Sequence, residues 1–337
     1  MTMSNNNTQR KIQRKIQREK SHDRLGRQAP YANTMAGFTL IELMISLVLG
    51  LLISAAVIQV YIINTRTVTI QQSASEVQDS SIFALQGLED NMRLANLGNP
   101  ITSISSNSDH GGVVLTPTNL GTTNTTDTTL LTNSADSTGW TGVSNMTGVD
   151  SDQLTIQYKN ITPSPMYDCE GAEILAGSSD WVVERYFVRL QTDASAGTGV
   201  QDLALACKAG RVSEDGTVTT AFSGNGAVVV PAVDQFKVLL GVQTDIGQMT
   251  YLAPKVYLDL DDKPPITTLK IGTVIRSTTP LITNADQEAF TILGVDQNLK
   301  ADTGRRKFYR RSYESTVLLR NARLMNVTAT TPTAATL

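Results

Sequence analysis

Residues 43–63 contain no charged side chain, and almost every one of them is apolar. Wound as a helix at ~1.5 Å per residue, the run covers about 31 Å, the hydrocarbon thickness of a bilayer. A helix in the core of a soluble domain is rarely apolar all round over this length, as this one is. The run predicts a membrane span, and it forces the rest of the chain to be read from that anchor.

The pattern changes beyond the span. Ala74, Val77, Ser81, Leu85, Leu88, Met92 and Ala95 recur at three- and four-residue intervals, which stacks them on one helix face. Gln78, Glu89, Asn91 and Arg93 fall on other faces. Gly98-Asn99-Pro100 supplies a stop, because glycine accepts the left-handed cap and proline cannot continue the hydrogen-bond ladder. One helix from Phe38 to about Leu97 is therefore expected, its first half facing lipid and its second half needing a partner. The simplest partner is the rest of the same chain.

Charge divides at the same place. Of 28 Lys and Arg and 31 Asp and Glu, residues 1–37 hold eight basic and two acidic, so this head carries +6 and the remainder −9. Basic residues beside a span tend to stay on the cytoplasmic side, so residues 1–37 read as a cytoplasmic leader before an exported body. An acidic body also argues against nucleic acid as a general partner, since that binding depends on neutralising phosphates.

Residues 102–148 are rich in Thr, Ser, Asn and Gly and read as extended loop, with Gly112-Val113-Val114-Leu115 a short strand candidate. Alternation then marks strands at 152–158 and 181–190, with further candidates at 203–207, 228–230, 236–242 and 316–319. A short helix is expected at 286–293. The fold class is α+β, one long helix packed on antiparallel sheet.

Catalytic and metal signatures are sparse. Outside the leader, which holds His22, the chain has one histidine, His110, in a Ser/Asp/Gly-rich loop where a solvated ring is expected. There is no nucleophile elbow or phosphate loop, so the chain is not read as an enzyme and no cofactor is assigned. Asp259, Asp261 and Asp262, with Asp296 and Asp302, offer oxygen ligands but no complete EF loop, and no metal site is assigned. The run Arg305-Arg306-Lys307-Phe308-Tyr309-Arg310-Arg311 mixes cations and aromatics, which suits a nucleic-acid strand or a charged edge strand that discourages aggregation. Cys169 and Cys207 are the only cysteines, and in an oxidising compartment a disulfide between them is the natural reading.

Gly37-Phe38-Thr39-Leu40-Ile41-Glu42 resembles the processing site of type IV prepilins and pseudopilins. The resemblance implies cleavage after Gly37 by a prepilin peptidase, N-methylation of Phe38, and an assembly contact at Glu42. In that family the freed amino group meets this glutamate, within a subunit or between neighbours. A carboxylate near a span is costly, about 2.5–3.5 kcal/mol at a helix centre and less near an interface, and pairing offsets the cost. A rival cut after Ser54-Ala55-Ala56, as in an ordinary signal peptide, leaves Glu42 unexplained. The leader is longer than the usual form, yet a start at Met35 would leave almost no basic leader.

Ser151-Asp152-Gln153-Leu154-Thr155-Ile156-Gln157-Tyr158, Val233-Asp234-Gln235-Phe236-Lys237-Val238 and Tyr313-Glu314-Ser315-Thr316-Val317-Leu318-Leu319-Arg320-Asn321 resemble PilW-type minor pilins. That resemblance implies pilus assembly in a tip priming complex with other minor pilins, the major pilin and a tip adhesin of the PilY type. It implies residence in the inner membrane before assembly and at the pilus tip afterwards. A type II secretion pseudopilin like GspJ, and a tip adhesin or DNA-uptake module, are the alternatives. The expected organisation is a cleaved leader (1–37), a transmembrane half-helix (38–63), an amphipathic half-helix (64–97) and a β-rich exported domain (98–337).

Overall fold

The computed structural model describes residues 37–121, 127–135, 137–191, 202–245, 248–282, 287–301 and 307–322. The leader up to residue 36, with His22, lies outside the described residues, as do Asp286, Asp302, Arg305 and Arg306.

Helix α1 spans Leu40–Met92, 53 residues. Its residues up to Val60 belong to one compact unit, and Tyr61 onward to a second. In the first unit every described side chain is exposed, the condition of a helix whose natural solvent is lipid. Just beyond, three β-branched threonines are poor helix formers on propensity. Thr65, Thr67 and Thr69 each donate a hydroxyl to the carbonyl four residues back (Tyr61, Ile63 and Thr65), at 2.9–3.0 Å, so the ladder continues through them.

The stop comes earlier than the glycine and proline suggest. Regular helix ends at Met92 and turns follow to Gly98. Asn96 takes a positive φ of 66°. Its amide N–H donates to the Gln157 carbonyl (3.0 Å), its side-chain oxygen accepts from Gly112 N–H (2.9 Å), and its side-chain nitrogen donates to the Ile101 carbonyl (2.9 Å). Contacts with distant segments, rather than the local stop signal, set the end of the helix.

In chain order the strands are β1 (Gln153–Tyr158), β2 (Met166–Tyr167), β3 (Glu173–Ile174), β4 (Trp181–Leu190), β5 (Leu203–Val212), β6 (Val218–Thr220) and β7 (Ala227–Val230). Then come β8 (Val233–Asp245), β9 (Gln248–Leu252), β10 (Ile266–Leu281), β11 (Ala289–Ile292), β12 (Val295–Asn298) and β13 (Lys307–Leu318). A five-residue helix, α2 (Pro254–Leu258), links β9 to β10. One sheet runs β1-β4-β5-β6 with β7 also on β5, and a second runs β13-β10-β8-β9, every pairing antiparallel. The fold is the expected α+β arrangement with the sheet divided in two.

The three-four stripe of α1 meets both sheets. Val77, Leu88, Met92 and Ala95 are buried in one cluster with Leu154, Ile156 and Tyr186 of the first sheet and Val238, Leu240, Leu269 and Ile271 of the second. Side-chain bonds fix the register: Ser315 donates to Glu89 at 2.5 Å, and Thr278 and Thr279 amides donate to Glu76 at 2.9 and 3.4 Å. Asn321 donates to the carbonyls of Arg93 (3.3 Å) and Ala95 (3.1 Å), capping groups that a helix end leaves without partners. The terminal motif Tyr313-to-Asn321 thus closes the helix from more than 200 positions away.

Two expectations are corrected, and one strand goes unanticipated. The helix expected at 286–293 is, where described, the β11–β12 hairpin, whose two-residue turn puts Leu293 and Gly294 at φ 50° and 82°, a conformation that makes a hairpin rather than a helix. Gly112-Val113-Val114-Leu115 makes only an isolated bridge from Val113 to Ile156. The loop carrying it is not a surface loop: Val113, Val114 and Leu115 are buried and cover the outer edge of β1 through Val114 N–H to the Thr155 carbonyl (2.8 Å). The longest strand, β10, has no counterpart in the sequence reading. Both its faces are covered over most of its length, so it lacks the alternation by which half-buried strands are recognised.

Candidate functional site: the helix start and the buried carboxylates

Gly37 and Phe38 lie ahead of α1, and Phe38 is 83% exposed. Thr39 starts the helix. Its carbonyl accepts from Glu42 and Leu43 N–H (3.1 and 3.2 Å), and its hydroxyl oxygen also accepts from Glu42 N–H (3.3 Å). Thr39-x-x-Glu42 is the spacing of a capping box, and Glu42 places a negative charge in the first turn, where the helix dipole favours it. Within the chain Glu42 therefore helps to start the helix. Among the described residues its carboxylate has no ion-pair partner.

Cys169 and Cys207 are joined, with Cα atoms 6.2 Å apart. Cys169 sits in the β2–β3 hairpin between two acids that reach the same strand, β5. Asp168 pairs with Arg211 (2.7 Å) and Glu170 with Lys208 (2.8 Å). Glu184 of β4 lies within 4.8 Å of both sulfurs, but a bonded pair of sulfurs does not ligate a metal as thiolates do.

Glu184 is fully buried and accepts hydrogen bonds from Tyr158 hydroxyl (2.9 Å), Tyr186 hydroxyl (2.6 Å) and Cys169 N–H (2.9 Å). Tyr186 in turn accepts from Asn91 of α1 (3.0 Å), so a polar chain runs from the helix to the disulfide. Burial pushes the Glu184 carboxyl above its ordinary range, outweighing the hydrogen bonds that favour the ionised form. Asp152 is raised by burial in the same way, against the opposing pull of Lys237 at 2.6 Å. It binds the two sheets, accepting from Val238 N–H (2.8 Å) while its own N–H donates to the Phe236 carbonyl (2.8 Å). The Ser151-Asp152 start of the first pilin-like motif is therefore a clamp between sheets.

Raised carboxyls carry a definite sign. The folded state holds the proton more tightly than the unfolded chain, so stability falls as pH rises from the ordinary carboxylate range to the raised folded value. The slope is at most about 1.4 kcal/mol per pH unit per group. Glu184→Gln removes one such group while keeping an acceptor for Tyr158 and Cys169. The variant is expected to gain stability relative to wild type as pH rises from about 4.5 to 7. Urea unfolding at several pH values measures this, and a pH-independent difference contradicts it.

The described part of the basic run lies on β13, an edge strand of the second sheet as one of its two readings expects, and burial counts against the other. Arg310 is 1% exposed and its Nε donates to Asp234 at 2.6 Å, while Phe308 is buried beneath the guanidinium groups of Arg276 (4.5 Å) and Arg310 (5.6 Å). Alternation along β13 turns these side chains inward, so the described part of the run does not present a continuous basic and aromatic face to a nucleic-acid strand. His110 is corrected too. Its ring is buried and stacks on Trp181 at 4.6 Å, in space that exists because Gly121 (φ 70°) has no Cβ to meet it. Asp259 pairs with Lys255, and Asp296 accepts from Thr291 (2.7 Å). Among the described residues, the acids considered for calcium form no gathered ligand set.

The sequence reading missed Glu184 and Asp234 as buried centres. Their one signal is a charge at an inward position of an apolar strand: Glu184 among Trp181-Val182-Val183, and Asp234 beside Val233.

Residues 185–321 match the model of the Type IV Pilus-assembly protein W family, and residues 33–58 match the prokaryotic N-terminal methylation motif. Among solved structures, the Type IV-like pilin TTHA1219 from Thermus thermophilus aligns over 73% of this chain and 98% of its own at 11% identity, with a TM-score of 0.38, too low to carry argument. No curated protein matches the chain. The two family matches, one on the sheet domain and one on the helix start, support a PilW-type minor pilin of type IV pilus assembly.

Proposed function

We propose that a prepilin peptidase cuts the chain after Gly37 and that Phe38 becomes the N-methylated first residue. Residues 38–63 then hold the protein in the inner membrane until it enters a priming complex at the pilus tip with other minor pilins, the major pilin and a PilY-type adhesin. The observation carrying this reading is α1 itself. Its apolar first part is exposed among the described residues, while its later part is fastened to both sheets. Extraction from lipid exchanges lipid contacts for helix contacts with little change in apolar burial, so specificity must come from polar groups. Glu42 supplies one: after cleavage a new amino group lies four residues before it, on the same or a neighbouring subunit.

Mass spectrometry of protein from native membranes is expected to find methylated Phe38 at the N-terminus. A start at Val57 overturns the proposal. Glu42→Ala is expected to leave processing intact and to reduce recovery in sheared pili by about tenfold, if the pair is worth about 1.4 kcal/mol. Recovery equal to wild type contradicts the assembly role of Glu42.

A further inference from the structure

The outer face of β4 carries Arg185, Phe187 and Arg189 at alternate positions. Among the described residues neither arginine has a carboxylate within ion-pair distance. Arg185 is buried, donating to Gln153 (3.0 Å) and to the carbonyls of Phe222 (3.0 Å) and Gly224 (2.7 Å), with its guanidinium 3.7 Å from the Phe187 ring centre. Arg189 donates to the carbonyls of Leu190 (2.9 Å) and Gly226 (3.4 Å), and its buried Nε has no partner among the described residues. Asp127 acts on Arg185 only from beyond ion-pair distance, so both guanidinium groups are in direct contact with neutral acceptors alone among the described residues, and Arg189 is left without a countercharge there.

Among the described residues the same strand has an open edge. β1 pairs with β4 only from Tyr158↔Val182 to Gln153↔Phe187. Asp152, which would continue the ladder, donates its N–H to Phe236 instead. Gln191 N–H donates to Asp202 on the β5 side, so by alternation the main-chain groups of Val188 and Leu190 point the other way, to the side β1 has left. There lies an open groove of about 530 Å³, walled by Trp140, Gly142 and Val143 opposite Phe187, Arg189 and Leu190. The Trp140 wall is fixed by its indole N–H on the Ser151 carbonyl (2.9 Å).

We infer that this groove receives an extended strand of another polypeptide, paired with β4 at Val188–Leu190 and placing a carboxylate against Arg189. A strand supplies the main-chain partners, and an acidic side chain supplies the missing countercharge. None of the residues lining the groove belongs to α1, and the inference stands without the assembly reading above. It gives the protein a second, sheet-based contact, specific for an acidic extended segment.

The test uses the full chain in detergent micelles and a blocked heptapeptide of alternating Thr and Val with one central Glu. Two control peptides replace that Glu by Lys or carry N-methyl groups on alternate main-chain amides. Fluorescence anisotropy is expected to show the Glu peptide binding about tenfold more tightly than the Lys peptide. The N-methylated peptide is expected not to bind, and Arg189→Gln is expected to abolish the preference for Glu. Amide exchange at Val188 and Leu190 should slow on binding. Equal binding of the Glu and Lys peptides, binding that survives N-methylation, or no saturable binding overturns the inference. So does competition by free glutarate as effective as the peptide, since it would reduce the groove to an anion pocket.

Discussion

Replacing Asp234 by Ala is expected to cost about 3–5 kcal/mol of folding stability, a large share of the about 5–15 kcal/mol that a folded domain commonly has. Asp234 is fully buried, accepts side-chain hydrogen bonds from Arg310 and Asn145, and forms an ion pair with Arg276. Arg310 Nε lies at 2.6 Å, Asn145 Nδ2 at 2.6 Å and Arg276 Nε at 3.3 Å. Arg276 and Arg310 face each other across the β10–β13 ladder, a like-charge pairing that destabilises a sheet unless something neutralises it. Removing the acid leaves both guanidinium groups in the interior, with only Asp202 still on Arg276. Stacking on Phe308 is a modest compensation, about 2 kcal/mol or less for a desolvated pair. The loss is thus a penalty for unpaired charge more than the worth of a bond. Replacing Asp234, Arg276 and Arg310 together by Leu, Met and Leu is accordingly expected to restore much of the stability that Asp234→Ala removes. Urea unfolding of the detergent-solubilised chain tests both variants. A triple variant no more stable than Asp234→Ala would show that geometry, not charge, makes this site matter.

Loss of the disulfide is the second large effect. The double variant Cys169→Ala, Cys207→Ala frees a loop with a sequence separation of 38. On the chain-entropy view this costs about 4 kcal/mol through the unfolded state. The folded hairpin remains held, because Asp168–Arg211 and Glu170–Lys208 flank the sulfurs and Glu170 also accepts from Ala209 N–H at 3.0 Å. The variant is therefore expected to keep native packing around Tyr158, Tyr186 and Glu184 while its unfolding midpoint falls sharply. Near-ultraviolet circular dichroism reports the packing and denaturant titration the midpoint. A variant that loses the aromatic signal before unfolding would mean that the covalent link, and not the ion pairs, seats the hairpin on β5.

The functional class was legible in the sequence because the features that carry it are contiguous. Twenty-one uncharged residues in a row need no tertiary partner to be recognised as lipid-soluble, and Gly37-Phe38 with Glu42 is a pattern of six adjacent positions. The three-four stripe from Ala74 to Ala95 is equally local, since helix geometry alone places those residues on one face. The strand motif around Asp152 was visible as a resemblance, yet its work as a clamp between sheets was not, because Val238 and Phe236 lie more than 80 positions away.

Sequence by itself thus determined the long apolar helix, the N-terminal methylation motif and the α+β class, since helix formation and summed hydropathy depend on near neighbours. Only the tertiary structure decided that Arg310 is an interior ion-pair partner, that His110 stacks on Trp181, that Asn321 closes the helix, and that among the described residues β4 leaves Val188–Leu190 unpaired on one side beside Arg189, which has no carboxylate in contact. A charge in a strand reads the same whether it faces water or a buried countercharge. The difference lies in sheet register, and register is set by which distant strands pair.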